Sequence, residues 1–312
     1  MKVAVTFPVP DAAKARLSEL FNCRFWDSEA PIPATTLADW LSDVEGVLTT
    51  LTCPLNQAAL TGASKLKVIS TVSVGVDHID IDFAQSKNIA IGHTPGVLTD
   101  STADLAIALM LAVGRRIAEG DALVREGAWS DGWKPNLLVG TDLSKSTVGL
   151  VGLGPIGQAV AKRLVGFGCR VIAWNRTRRD VPDVEFTDLD TLLSSADIVS
   201  LHTALTDETR ALINRDRLSL MKDQAILINT ARGAIVDEVA LMRELAAGRL
   251  RAGLDVYAEE PLPLDSGFHS LPGCVLLPHI GSATERTRQA MFELAMANLV
   301  AGMRDELLPC AL

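Results

Sequence analysis

Length, composition and charge set the first limits. At 312 residues the chain is longer than one typical hydrophobic core, so two domains are expected. Its 38 Asp and Glu residues outnumber its 29 Lys and Arg residues, giving a formal net charge of -9. A chain this acidic offers no broad positive surface to nucleic acid or to anionic lipid, and we expect neither partner.

Nothing in the sequence predicts a membrane segment or a signal peptide. The longest apolar stretch of note, 105–113, is shorter than the roughly 20 residues that a spanning helix needs. Residues 1–7 are soon followed by Pro8 and favour a first strand. The five cysteines show no CxxC spacing, so they are expected to be reduced thiols and no metal site is predicted. A cytoplasmic location is the expectation.

Taken in chain order, short apolar runs alternate with longer helical patterns. This alternation is typical of a parallel sheet with helices on both faces, and it predicts an α/β fold. The predicted strands cover residues 2–7, 46–48, 68–71, 89–91, 147–151, 170–173, 198–201, 225–229, 251–255 and 275–277.

Two predicted helices stand out from the others. The first follows a cap-rich stretch, 99–102, and runs from about residue 103 to 126 with an almost wholly apolar first half. A helix that is apolar on all sides is expected to be buried. The second covers residues 285–303 near the C-terminus and is largely apolar on one face.

A glycine motif lies between a predicted strand and a predicted helix. Gly152, Gly154 and Gly157 form G-x-G-x-x-G, in which the first permits a tight turn, the second lets backbone approach a pyrophosphate, and the third lets helix and strand pack closely. The helix N-terminus offers unpaired N–H groups to phosphates. The motif predicts dinucleotide binding, although a structural glycine turn is the alternative.

The position of this motif predicts the domain organisation. About 95 residues precede the dinucleotide-type segment, and a closing helix follows it. We predict a Rossmann dinucleotide-binding domain at 97–280, inserted into a smaller flavodoxin-like α/β domain made of residues 1–96 and 281–312.

The residues after the next strand bear on cofactor choice. Asn175 stands where NAD enzymes usually place the acid that binds the ribose 2′-hydroxyl, and Arg176 and Thr177 follow it. Without that carboxylate, and with a guanidinium added, the site favours a 2′-phosphate and therefore NADP(H), with NAD(H) also possible. Arg178 and Arg179 are alternatively solvated loop charges.

Three later motifs complete a recognisable set: NTARG at 229–233, AGLDVYAEEP at 252–261 and LPHIGSAT at 277–284. With the glycine motif, they resemble the D-isomer-specific 2-hydroxyacid dehydrogenase family across nearly the whole chain. The resemblance implies a discontinuous substrate domain around an inserted Rossmann domain, an NAD(P)-dependent enzyme and a homodimer.

By the same resemblance, Arg232, Glu260 and His279 match the family's catalytic residues. Hydride arriving at a keto carbon builds negative charge on the oxygen, so an imidazolium is a suitable acid and a guanidinium a suitable anchor. Glu260 would orient the imidazole. Glu259 is less favoured because the family places the acid directly before the proline. Taken individually, Arg232 also suits a surface ion pair, Glu260 a solvated loop acid and His279 a helix cap.

The resemblance implies further ligand contacts in the Rossmann domain. We interpret the histidines other than His279 as non-catalytic, with His202 a candidate for the adenine side. Besides the residues discussed above, the predicted cofactor contacts are Leu153, Pro155, Ile156, His202, Thr203, Thr230, Ala231, Asp255 and Ser282.

Substrate-site residues are also implied. Backbone N–H groups of Val74 and Gly75 would meet the substrate carboxylate, and Trp133 would enter the partner subunit's site, unless it is an ordinary interface or core aromatic. These segments look most like glyoxylate/hydroxypyruvate reductases, which predicts reduction of small 2-keto acids. The alternatives are a hydroxyphenylpyruvate reductase, a phosphite-oxidising dehydrogenase and, from another class, a dinucleotide-sensing corepressor-like protein.

Overall fold

The computed structural model describes residues 1–312 and divides the chain into two compact units. Unit 1 consists of Met1–Leu98 and Thr284–Leu312, and unit 2 of Thr99–Ala283. The predicted boundaries, after residues 96 and 280, lie a few residues before these. None of the helices combines the length and the hydrophobicity that a membrane span needs.

The elements follow one another as strand and helix through both units. Up to residue 98 they are β1 (Lys2–Val5), α1 (Asp11–Leu20), β2 (Asn22–Phe25), α2 (Ala34–Leu41), β3 (Gly46–Thr49), α3 (Gln57–Leu60), β4 (Val68–Thr71), α4 (Ile81–Ser86) and β5 (Ala90–Gly92). Unit 2 contains α5 (Thr99–Gly114), α6 (Ile117–Arg125), β6 (Thr147–Val151), α7 (Pro155–Phe167), β7 (Arg170–Trp174), β8 (Val184–Phe186), α8 (Leu189–Ser195), β9 (Ile198–Leu201), α9 (Arg215–Leu220), β10 (Ile226–Asn229), α10 (Glu238–Ala246), β11 (Arg251–Leu254) and β12 (Cys274–Leu276). The last helix, α11 (Glu285–Met303), belongs to unit 1.

Unit 1 is built on a five-stranded parallel sheet. Its strand order, β2-β1-β3-β4-β5, is the flavodoxin order, as predicted. The apolar core of one face includes Leu37, Leu55 and Ile69, all essentially inaccessible to solvent. Helix α11 packs against β3 and β4 so closely that a side chain at Gly46 would lie 2.7 Å from the Met303 sulfur. The C-terminal helix is therefore an integral part of unit 1.

Unit 2 is built on a seven-stranded parallel sheet, with the order β12-β11-β10-β9-β6-β7-β8. The chain runs outward from β6 in one direction and then returns to β9 and runs in the other. This reversal between β6 and β9 is the switch point of a Rossmann fold, where ligands bind at the carboxyl ends of the strands. The predicted α/β class, with a Rossmann domain and a flavodoxin-like domain, is confirmed.

Some predicted elements differ in their bounds. The apolar helix begins at Thr99 and is interrupted after Gly114, because Arg116 adopts a left-handed backbone conformation with φ of 54°. Its buried face packs on α7, β10 and β11 within unit 2. Strands β2 and β8 were not predicted, because Asn22 and Arg24 in the first and Glu185 in the second interrupt the short apolar run. The C-terminal helix has the predicted bounds.

Candidate active site

Three consecutive strands of unit 2 deliver the predicted catalytic residues. Arg232 follows β10, Glu260 follows β11 and His279 follows β12. Since these strands are parallel neighbours, their carboxyl ends share one edge of the sheet. The topology therefore brings three polar side chains from distant parts of the sequence to a single edge.

Glu260 and His279 form a direct, short hydrogen bond. Glu260 Oε2 lies 2.7 Å from His279 Nδ1, and about a quarter of each side chain is exposed (26% and 25%). Tyr257 N donates to the other carboxylate oxygen, Oε1, at 2.9 Å. The carboxyl group is thus held at both oxygens.

The electrostatics favour an ionised Glu260. Burial by itself would raise the pKa of the Glu260 carboxyl, but the hydrogen bond and charge of His279, with a smaller contribution from Arg232, hold that pKa below its ordinary value. An ionised carboxylate only accepts, so Nδ1 of His279 carries the shared hydrogen. Nε2 is then the ring nitrogen able to exchange a proton with a ligand.

Asp255 fixes the backbone around His279. His279 has a left-handed conformation, with φ of 55°, which is uncommon for a residue with a side chain. The Asp255 carboxylate accepts from Ile280 N at 2.7 Å and from Gly281 N at 2.8 Å, and its carbonyl accepts from His279 N at 2.9 Å. Asp255 is only 1% exposed, and burial raises the pKa of its carboxyl. Its predicted contact with the nicotinamide stays a prediction.

The Arg232 segment is held by its own turn and by the neighbouring loop. Buried Asn229 accepts from Ala231 N at 3.0 Å and donates to the Arg232 carbonyl at 2.9 Å. A side chain at Gly233 would lie 1.9 Å from the carbonyl carbon of Tyr257. Only glycine therefore allows the Arg232 segment to lie against the loop that carries Glu260.

The glycine motif forms the turn between β6 and α7. Gly152 has φ of 104°, and a side chain there would lie 2.7 Å from the His202 carbonyl carbon. A side chain at Gly157 would lie 2.1 Å from the Gly152 oxygen. At Gly154, the N-cap of α7, nothing lies within 4 Å of the missing side chain. Packing within the protein explains the first and third glycines, and the open space at the second is compatible with the predicted approach of a pyrophosphate.

Two buried polar atoms at the carboxyl edge of the sheet have no partner in the protein. They are Nδ1 of His202, after β9, and Oγ1 of Thr230, after β10. Burial lowers the pKa of His202 to about 4, so its ring is neutral, and Nε2 pairs with Ser200 Oγ at 2.9 Å. Buried polar groups normally have hydrogen-bond partners, so these atoms fit a site completed by a dinucleotide.

The residues predicted to hold a 2′-phosphate lie at the end of β7. Asn175 Oδ1 accepts from Leu153 N at 3.0 Å, so the side chain supports the glycine turn. Arg176 pairs with Glu208 at 2.8 Å, and both side chains are mostly exposed. Sequence reasoning missed Glu208, because nothing in its local pattern relates it to a residue 32 positions earlier. Thr177 accepts through its carbonyl from Asn175.

In unit 1, the loop after β4 contains Val74 and Gly75. The Gly75 carbonyl accepts from Ser73 Oγ at 2.7 Å, and the Val74 carbonyl lies 3.0 Å from Nδ1 of His93. Their N–H groups make no hydrogen bond within the protein. The loop is thus fixed through its carbonyls with two donors left over, an arrangement suited to an anion. The contact made by His93 had no signal in the sequence.

The segment after α6 exposes large apolar side chains. Trp133 is 81% exposed and lies beyond α6, near Trp129 in the chain, which is also more than half exposed. Val139 adds to this surface. Trp133 is therefore not a core aromatic.

Comparisons with known proteins find similar sequences over most of the chain. The family model described as "D-isomer specific 2-hydroxyacid dehydrogenase, NAD binding domain" matches residues 107–281. The chain is 44% identical to a glyoxylate reductase of Thermococcus litoralis, over 99% of this chain and 95% of that protein.

Solved structures give the same result. A protein of Thermus thermophilus is 46% identical over the full length of both chains, with a TM-score of 0.92. An NADPH-dependent glyoxylate/hydroxypyruvate reductase of Sinorhizobium meliloti, solved with NADP and malonate, is 31% identical, with a TM-score of 0.90, over 100% of this chain and 96% of that one.

Proposed function

The chain belongs to the D-isomer specific 2-hydroxyacid dehydrogenase family, and from that premise we propose that it is an NADPH-dependent reductase of glyoxylate and hydroxypyruvate with His279 as the general acid. The observation that carries this proposal is the 2.7 Å contact between His279 Nδ1 and Glu260, beside the Arg232 segment. The similarity to glyoxylate reductases over nearly the whole chain supports the substrate class.

The protein's own residues supply the proton and the anchor. When bound, the reduced nicotinamide supplies the hydride. His279 gives the Nε2 proton to the developing alkoxide of the substrate, while Glu260 stabilises the imidazolium by accepting from Nδ1. A positioned acid of this kind contributes roughly 10²–10⁴-fold to the rate.

Arg232 is assigned the substrate's carboxylate and carbonyl. Its planar guanidinium can hold a carboxylate with two parallel hydrogen bonds and can also polarise a nearby carbonyl oxygen. The N–H groups of Val74 and Gly75 are assigned to the carboxylate as well, supported by their lack of protein acceptors. A small keto acid needs no further charged group.

We assign the preference for NADPH to Asn175 and Arg176. Asn175 stands where a carboxylate would repel a 2′-phosphate. When NADPH binds, Arg176 leaves its ion pair with Glu208 and binds that phosphate. Replacing Arg176 with Asp should raise the KM for NADPH much more than the KM for NADH. The matched control is Arg179→Asp, in the same basic segment. Equal changes for both cofactors in R176D would refute this assignment.

The proposed assembly is a homodimer in the cytoplasm. The exposed Trp133, Trp129 and Val139 supply apolar area typical of a subunit interface. The five free cysteines suit a reducing compartment. Sedimentation of wild type and of Trp133→Ala tests the assembly: a dimer weakened by the substitution supports it, and a wild-type monomer contradicts it.

Initial rates across a panel of 2-keto acids test the function itself. Glyoxylate, hydroxypyruvate and hydroxyphenylpyruvate would each be assayed with NADPH and with NADH. The proposal expects the highest kcat/KM for glyoxylate or hydroxypyruvate with NADPH. A preference for hydroxyphenylpyruvate would assign the chain to another activity within the family.

A further inference from the structure

Glu238, the first residue of α10, contacts the loop that carries Glu260. Its Oε1 accepts from Ala258 N at 2.8 Å, across 20 positions of sequence. The helix does not need Glu238 as a cap, because Asp237 already accepts from Ala240 N at 3.0 Å. The Glu238 carboxylate is thus directed at a neighbouring loop.

This contact is one of three that fix the loop. Tyr257 N donates to Glu260, Ala258 N donates to Glu238, and Gly233 lies against the peptide that joins Tyr257 to Ala258. The two successive N–H groups therefore each bind a carboxylate. Removing the Glu238 oxygen would free the Ala258 end of the loop and loosen the orientation of Glu260.

Glu238 and Glu260 are also coupled electrically. Burial raises the pKa of the Glu238 carboxyl, the Ala258 N–H lowers it, and the charge of Glu260 raises it again. The other groups facing this cluster are Arg232, Asp255, Tyr257 and Cys274. Of these, Tyr257 and Cys274 are neutral near pH 7, since burial raises the pKa of Tyr257 to about 12 and that of Cys274 to about 11.

We propose that Glu238 is a positioning residue for the reduction: it holds Glu260 in place through the loop at Ala258 N. This inference rests on the proposed roles of Glu260 and His279 in the reduction. Glu238 itself touches neither substrate nor cofactor in this assignment.

Three variants test the contact between Glu238 and Ala258 N. Glu238→Gln keeps an oxygen that can accept from Ala258 N but removes the charge, whereas Glu238→Ala removes both. Glu259→Gln is the matched control, because it removes an exposed charge from the same loop. The measurement is kcat and KM for glyoxylate as a function of pH, with thermal denaturation of each variant to register any loss of folding.

The expected outcomes differ between the variants. E238Q should keep a kcat close to that of wild type, because its amide oxygen can still accept from Ala258 N. E238A should have a kcat lower by roughly tenfold, since the loop is no longer held. E259Q should match wild type. An E238A kcat equal to those of E238Q and wild type would overturn the proposal.

A second readout separates this inference from the proposed function. The amide NMR signal of Tyr257, which donates to Glu260, should move in E238A and stay close to its wild-type position in E238Q and E259Q, in the protein without substrate. If it does, but His279→Ala still reduces glyoxylate at the wild-type rate, the proposed function fails and the holding role stands. If H279A is inactive while E238A keeps the wild-type signal and kcat, the holding role fails and the function stands.

Discussion

Replacement of Asp255 by Asn is the most informative test of how the His279 segment is held. Asp255 is 1% exposed, and its two oxygens accept from the backbone N–H groups of Ile280 and Gly281 at 2.7 and 2.8 Å. An amide offers one oxygen and one NH₂ group, so one of these N–H groups would face a donor. The substitution keeps size and shape while removing one hydrogen bond and the charge that strengthens the other.

The magnitude follows from burial and geometry. Hydrogen bonds to a charged group contribute about 1.5–3 kcal/mol each, and a buried donor without an acceptor costs about 1–3 kcal/mol. We therefore expect D255N to lower the free energy of unfolding by about 2–4 kcal/mol. The two contacts hold the residues that directly follow His279, whose backbone is left-handed, so kcat should also fall, by roughly 10–10²-fold.

Urea denaturation followed by tryptophan fluorescence measures the stability, and steady-state kinetics with glyoxylate measures kcat. Asp265→Asn is the matched control, because Asp265 is an exposed acid in the loop before β12. D265N should behave as wild type in both assays. If D255N unfolds within about 0.5 kcal/mol of wild type, as ordinary surface substitutions do, then the two backbone contacts do not stabilise this segment.

Two further substitutions test the pair and its support. Glu260 accepts from His279 Nδ1 at 2.7 Å, so Glu260→Gln should lower kcat/KM for glyoxylate by roughly 10–10²-fold, because an amide holds the ring less strongly than a carboxylate. An unchanged kcat/KM would contradict this. Gly233→Ala would place a methyl group 1.9 Å from the Tyr257 carbonyl carbon, so the loops must separate. We expect a loss of about 1–3 kcal/mol in stability together with reduced kcat; a fully active, equally stable G233A would show that the packing is loose.

Local signals in the sequence predicted the sheet strands and the cofactor turn well. Each glycine of the motif sits between an apolar run and a helical pattern, so the turn is defined by neighbouring residues alone. Strands such as β6, which is apolar on both faces, give an unbroken apolar run. The interruption at Arg116 carried no such signal, because one residue in a left-handed conformation leaves the helical pattern of the sequence almost unchanged. The edge strands β2 and β8 contain polar residues, so neither gives an unbroken apolar run.

The residues of the candidate site likewise divide into those with a local signal in the sequence and those without one. Arg232, Glu260 and His279 could be named from motifs, because the resemblance supplied their roles before any distance was known. The residues that contact and hold these segments could not be named from the sequence. Glu238 contacts Ala258, and Glu208 contacts Arg176, across 20 and 32 positions, so only the folded chain brings them together. His93, interpreted from the sequence as non-catalytic, contacts a carbonyl of the loop with Val74.

The assignment of His279 as the proton donor depends on one comparison: kcat for glyoxylate in wild type and in His279→Ala, with the Kd for NADPH measured by fluorescence on the same samples. The account predicts that kcat falls by roughly 10²–10⁴-fold while the Kd changes little, because only the acid is lost. A variant that binds NADPH normally and keeps a kcat close to that of wild type would contradict it.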